Sequence, residues 1–300
     1  MRTNAAFFLL FLFGTAAGSP LFAWGEKGHE LVSDAATRGL PAELPSFFHQ
    51  AYGELIYLSN DPDRWRGAGQ SADDANPPEH FLDYEYVAHL DLPRGRYDFI
   101  ALLYSSGTIR AHLLEPETAG FVLWEIAETT ETLTDQWRRW RRMPPGHERD
   151  QVEKTIIFLS GTLSHYIADA ANPHHSTIHY NGWVGDPSRG FRNDCETHGR
   201  FESVFVTNNI ELEDVTARMA APRDRPDAFA EALALIRDSN ANVERLYGLD
   251  AAGGFDYPAG SAAGKAFAAE RLALGASILR DTWWSAWVAS GKPRSRGRSE

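Results

Sequence analysis

Cysteine is almost missing from this sequence. Cys195 stands alone among 300 residues, which excludes an intrachain disulfide and any cysteine-built zinc module. Positive charge is in deficit too: 29 Lys and Arg against 41 Asp and Glu leave a net charge of −12. That balance argues against a protein that grips nucleic acid with a broad basic face. It leaves room for an enzyme that draws phosphate through bound metal ions. No apolar run reaches the ~20 residues a membrane-spanning helix needs. No alternating run is long enough to demand a sheet, although residues 81–87 fit a short strand. Internal repeats are absent, and so is a Gly-x-Ser-x-Gly nucleophile motif. What the chain does have is 43% apolar residues and 12% aromatics, enough for a packed core, and eleven histidines to explain.

Residues 1–23 read as a secretory signal: Arg2 is the only charge, an apolar run follows from Ala5 to Phe13, and small residues lead to Ala23. Cleavage there would start an exported or periplasmic protein at Trp24. Residues 24–291 then read as one mainly α domain, and 292–300 as a disordered basic tail. Apolar positions at helical spacing predict helices over 29–40, 121–140, 152–171, 196–208, 227–247 and 262–289. The loops with most Gly, Pro, Asp and His lie at 59–78 and 172–194.

The densest chemistry is His165-Tyr-Ile-Ala-Asp169 followed by Asn172-Pro-His-His175. His165 and Asp169 lie four apart, on one face of the most apolar helix. His198 and Glu202 repeat that spacing downstream. Two helices that each present an imidazole and a carboxylate make a nitrogen and oxygen donor set suited to zinc. A surface ion pair explains either pair alone, but a carboxylate on the apolar helix needs compensating charge, and no Lys or Arg follows until Arg189. Two further groups are weaker by themselves. Trp24-Gly-Glu-Lys-Gly-His29 offers a free α-amine, a carbonyl and an imidazole as chelators, or simply a core Trp before a helix. Asp61-Pro-Asp63-Arg-Trp-Arg66 and Glu79-His80-Phe-Leu-Asp83 sit at the long loop, where turn chemistry and ordinary packing are alternatives.

Taken in order, Trp24, His29, Asp63, His80, His165, Asp169, His175, His198 and Glu202 resemble the superfamily that joins zinc-dependent phospholipases C to the single-strand-specific nucleases of fungi and plants. The phrase HYIADAANPHH is similar to its central motif, and the match spans Trp24 to Glu202. Arg271-Leu272-Ala273 in the last helix is similar as well. The resemblance implies a single multi-helix domain with three zinc ions in a cleft. Asp169 would bridge two of them, one also held by Trp24 and His29 and the other by Asp63, His80 and His165. The third would take His175, His198 and Glu202. Asp63 is preferred to Asp61, and His175 to His174, on spacing. His179 and Cys195 lie nearby as lesser candidates.

The implied activity is hydrolysis of a phosphodiester by zinc-activated hydroxide, with Asp63 orienting the nucleophile and Arg66 stabilising the transition state. Glu202 as the last ligand is phospholipase C-like, whereas Trp24-Gly-x-x-Gly-His29 is nuclease-like. Phe81, Tyr180 and Trp183 are candidates for substrate contact. The expected partner is therefore a phospholipid head group or single-stranded nucleic acid, met by a monomer without a transmembrane segment. A non-catalytic zinc-binding protein would keep the same ligands without an open coordination position.

Overall fold

A computed structural model describes residues 24–293. The expected signal segment and residues 294–300 of the expected tail lie outside the described residues. The described chain is mainly helical and contains no strand. Five long helices frame it: α1 (Glu26–Arg38), α2 (Val122–Arg142), α3 (His147–Ala171), α4 (Ala228–Ala241) and α5 (Ala262–Ser290). Helix α3 packs against all four of the others. Its first half is amphipathic, but every residue from Ser160 to Ala171 is buried, so its C-terminal half is enclosed on all sides. Phe48, Trp137 and Trp283 meet edge to face in the core, with centroids 5.5 and 5.6 Å apart.

A helix that ends inside a protein leaves carbonyls to satisfy. At the end of α3, Arg271 of α5 donates from Nε to the Ala171 carbonyl at 2.9 Å, and Ser239 of α4 donates to that of Ala170 at 2.6 Å. Arg271 also donates to the Ser239 hydroxyl, and the buried guanidinium ties the two helices to the helix terminus. The chain then turns through Asn172, whose side chain accepts from the His174 amide, into one 3-10 turn over Pro173–Ser176. The residues that the sequence singled out most strongly thus sit on a helix end fixed by two neighbours.

Three expected elements differ. Residues 81–87 form no strand: Phe81 is extended, but Tyr84–Val87 is a single helical turn. The amides and carbonyls there bond to separate segments, Leu82 to His175, Asp83 to Ala119 and Val122 to Phe81, so no ladder can form. The helix expected over 227–247 breaks at Asn242 into α4 and Val243–Ala251. The one expected over 196–208 is a π-helical segment, Arg200–Phe205, between short α-helical turns. The loop expected over 59–78 contains short helices Asp61–Arg64 and Gln70–Ala75 and a 3-10 turn, Pro77–His80.

That last turn is clasped by residues 120–122. The Phe121 amide bonds the Pro78 carbonyl at 2.7 Å, and the Val122 amide bonds that of Phe81 at 3.1 Å. Gly120, at φ +85°, makes the clasp possible, because a Cβ there would lie 2.1 Å from the Phe81 carbonyl oxygen. We expect Gly120→Ala to lower stability by about 2 kcal/mol or more, read as the midpoint of urea unfolding. An unchanged midpoint would show that the clasp yields freely.

Candidate metal centre

Six segments deliver the donors. His29 comes from α1, Asp63 from the short helix after Asn60, and His80 from the clasped 3-10 turn. His165 and Asp169 come from α3, and His175 from the turn that follows it. His198 and Glu202 lie further on, and the π-helical segment sets Glu202 beside His198. Extra turns of this kind inside helices recur at functional sites because they re-aim side chains. His29, His80, His165, Asp169, His175, His198 and Glu202 are all buried, and Asp63 is nearly so. Three groups gather with ligand atoms close enough for a cation: His29, Asp63 and His165; His80, His165 and Asp169; and His175, His198 and Glu202.

Tautomers decide what these groups are for. His165 Nδ1 lies 2.7 Å from the Ser59 carbonyl, an acceptor only, so Nδ1 carries a proton and Nε2 is a lone pair in the neutral ring. Against burial, Asp169 and Asp63 raise this imidazole toward the form that also carries a proton on Nε2. Nε2 points at His80 Nδ1, 2.9 Å away, and at Asp169 Oδ2, 3.2 Å away; His80 Nδ1 is itself 3.0 Å from the same oxygen. His175 repeats the device. Its Nδ1 is fixed by the His80 carbonyl at 2.8 Å, which leaves Nε2 facing His198 Nε2 at 3.2 Å and Glu202 Oε2 at 3.7 Å. His198 Nε2 closes that group at 2.6 Å from Glu202. A lone pair aimed at a carboxylate is repulsive unless a proton or a metal cation lies between them. Tetrahedral zinc with bonds of about 2.0–2.1 Å would hold its ligands about 3.3 Å apart, close to the spacings seen. The residues fit such an ion, and these buried clusters could hold metal ions.

Asp169 faces both ways. Oδ2 serves His80 and His165, while Oδ1 meets His29 Nε2 at 3.1 Å. Asp63 Oδ1 lies 3.9 Å from His165 Nε2 and 4.0 Å from His80 Nδ1, and takes the Arg66 guanidinium at 2.9 Å. Asp61 points elsewhere and pairs with Arg64 at 3.1 Å. Trp24 is fully buried, and its indole donates to the Ala168 carbonyl at 2.6 Å, one residue before Asp169. Its backbone is thereby pinned beside α3.

Electrostatics follow from burial. Desolvation pushes His80 and His198 down to about 4, so both rings are neutral and available as donors at neutral pH. Burial also lowers His29, helped by the neighbouring His165. For Asp169, burial favours the neutral form, but His175 and His165 outweigh it and hold the carboxylate well below its usual range. For Glu202, burial outweighs the hydrogen bond and charge of His175 and raises the carboxyl to about 8.

The donors open onto a cavity of about 320 Å³. Arg66, His80, His175 and His198 line it, together with Phe81, Asp83 and Tyr180. Trp183 does not line it; that indole stacks on His179 at 3.9 Å and packs against Phe191 and Tyr247, which orders the loop behind Tyr180. His179 accepts from the Val184 amide, and Cys195 is exposed; neither belongs to a donor group. His174, buried and stacked on the His198 ring at 4.9 Å, also lines the cavity without joining a group. Asp83 stands in the Glu79–Asp83 stretch that the sequence singles out, but the sequence assigns it no role. Its carboxyl is buried at the cavity wall, makes no hydrogen bond or ion pair among the described residues, and is pushed up to about 8 by burial and then by Glu85. The signal available was only its place three residues after His80.

Compared with known proteins, the chain matches no family model, no curated protein and no solved structure.

Proposed function

We propose that this protein is a zinc-dependent hydrolase of phosphodiesters. The observation that carries the reading is the pair of imidazole Nε2 atoms, on His165 and His175, whose rings are fixed by backbone carbonyls and aimed at buried carboxylates beside an open cavity. The resemblance of HYIADAANPHH to the phospholipase C and nuclease superfamily supports it. His80, His165, Asp63 and Asp169 would hold one cation. His29, Asp169 and the amine and carbonyl of Trp24 would hold a second, and His175, His198 and Glu202 a third. Zinc bound there supplies Lewis acidity towards a phosphoryl oxygen and water of lowered pKa.

The chain's own groups do the rest. Asp63, fixed by Arg66, accepts a hydrogen bond from the attacking water and so aims it at phosphorus. Arg66 lines the cavity and donates to a non-bridging phosphoryl oxygen as charge builds there. The enclosing His rings and the Phe81 side chain exclude bulk water, which strengthens both interactions.

Glu202 at the last ligand position favours a phospholipase C-like substrate. A second reading, a single-strand-specific nuclease, rests on the cavity wall. Phe81 offers a ring, and the neutral Asp83 carboxyl offers one donor and one acceptor beside it, a combination suited to a nucleobase. The test is side-by-side hydrolysis of bis-nitrophenyl phosphate, phosphatidylcholine micelles and single-stranded DNA, before and after chelation. Turnover of the small diester that is lost on chelation and restored by zinc is expected; no turnover of any substrate would overturn the proposal. Hydrolysis of DNA alone, with KM raised about tenfold in Phe81→Ala, would select the second reading.

A further inference from the structure

The imidazoles of the candidate centre are aimed in different ways. His165 and His175 are fixed at Nδ1 by backbone carbonyls, whereas His29, His80 and His198 each leave one buried ring nitrogen without a hydrogen-bond partner among the described residues. His29 rides on the long helix α1 and His80 on the clasped turn. His198 has neither support, yet its Nε2 faces Glu202 at 2.6 Å and His175 at 3.2 Å. The His174 ring stacks on it, with centroids 4.9 Å apart. The main chain around it is held by a separate helix, Val243–Ala251.

Two residues three apart on the buried face of that helix, Tyr247 and Asp250, make the attachment. Asp250 is fully buried and takes hold of the chain on both sides of His198. Thr197 donates to its Oδ2 at 3.0 Å, and one Arg200 nitrogen lies 2.8 Å from each carboxylate oxygen. Arg200 opens the π-helical segment that carries Glu202, so one carboxylate bears on both donors. The Tyr247 hydroxyl accepts from the Gly182 amide at 2.9 Å and donates to the His179 carbonyl. Between those residues, the Asn181 side chain accepts from the His198 amide at 3.3 Å. A buried ion pair such as Asp250 and Arg200 gains little stability over an apolar pair. A metal donor, by contrast, must be held to within about 0.5 Å.

We propose that Asp250 is a positioning residue for the cation of the His175, His198 and Glu202 group, acting through Thr197 and Arg200. The proposal rests on the reading that this group holds an ion. Partners behind a metal donor set its direction, and losing one costs about 10- to 100-fold in metal affinity.

The test is zinc titration of the purified protein against a chromophoric chelator, with elemental analysis of the ions retained. Asp250→Asn is expected to weaken one ion of three by about 10- to 100-fold and to leave the two ions at Asp169 unmoved. Asp194 also pairs with Arg200, so the variant leaves no guanidinium uncompensated. Thr197→Val keeps the volume and deletes one hydrogen bond; it should weaken the same ion about fivefold, and Thr197→Ser should restore it. Asp281→Asn, which breaks a buried pair with Arg225 on α5, should lower Tm with all three affinities kept. Three undiminished affinities in both Asp250→Asn and Thr197→Val would refute the positioning role and leave the metal reading intact. Equal weakening of all three ions, matched in Asp281→Asn, would refute it too, since that is loss of fold and not of aim. A parent protein that binds no zinc would overturn both the role and the reading beneath it.

Discussion

Asp169→Asn is expected to lower kcat/KM by about 1,000-fold or more and to cut the bound metal from one ion per group to the His175, His198 and Glu202 ion alone. The reason is geometric. Each oxygen of this one carboxylate faces a different imidazole set, His29 on one side and His80 with His165 on the other. An amide keeps the volume but replaces one anionic oxygen by an NH₂ group whose protons point at a bare lone pair or at a cation. The His175, His198 and Glu202 group shares no ligand with the other two and should stay loaded. Elemental analysis of the purified variant, set beside its rate, separates the two effects. The control is Asp61→Asn, which removes a carboxylate two residues from Asp63 that is committed to Arg64; metal content and rate should not move. Full metal content in Asp169→Asn would show that the carboxylate is a structural acid and that the three groups are not one centre.

The contrast between Asp61 and Asp63 also marks how far the sequence could be read. Spacing along a helix is rigid, so His165 and Asp169, or His198 and Glu202, were legible as facing pairs before any fold was known. The long amphipathic helices were legible for the same reason. Which loop residues arrive at the same place was not. Both loop aspartates precede an arginine by three residues, and only the short helix Asp61–Arg64 turns one inward and the other out. Residues 81–87 show the opposite failure, an apolar stretch that suggests a strand but spends its backbone groups on two different segments, 119–122 and His175. Trp183 belongs with it: an aromatic near the site in sequence whose face is already occupied by His179. Asp83 could be given no role from sequence because a lone acid in a loop carries no periodicity, and only burial makes it unusual. The tautomers of His165 and His175, which decide the chemistry, depend on carbonyls 106 and 95 residues away in sequence.

Chelation should produce the second large effect, and its pH dependence tests the burial that produces it. Without cations, Glu202 becomes a buried acid with incomplete compensation and the donors around Asp169 lose their shared partner, a cost of about 3–5 kcal/mol where one partner of a buried pair is lost. For a protein of this size that corresponds to a fall in Tm of roughly 10 °C. The fall should deepen on the alkaline side. Glu202 is raised from its ordinary 4.5 to about 8 by burial, so the folded metal-free protein holds a proton that the unfolded chain has already released. The stability this contributes is fully present below pH 4.5 and is lost as pH rises through 8. Asp83, raised to about 8 in the same way but outside the donor groups, adds an alkaline loss common to the metal-free and metal-loaded protein. Metal-loaded protein behaves differently at Glu202, where the bound cation keeps the carboxylate ionised and removes that group's share of the alkaline loss. The same proton gives a calorimetric signature: filling the His175, His198 and Glu202 group below pH 8 should release close to one proton per ion, seen as a dependence of the binding heat on the buffer's ionisation enthalpy. Equal Tm values with and without chelator across pH 6 to 9 would mean that these acids are compensated by the fold itself, and that no cation belongs between them.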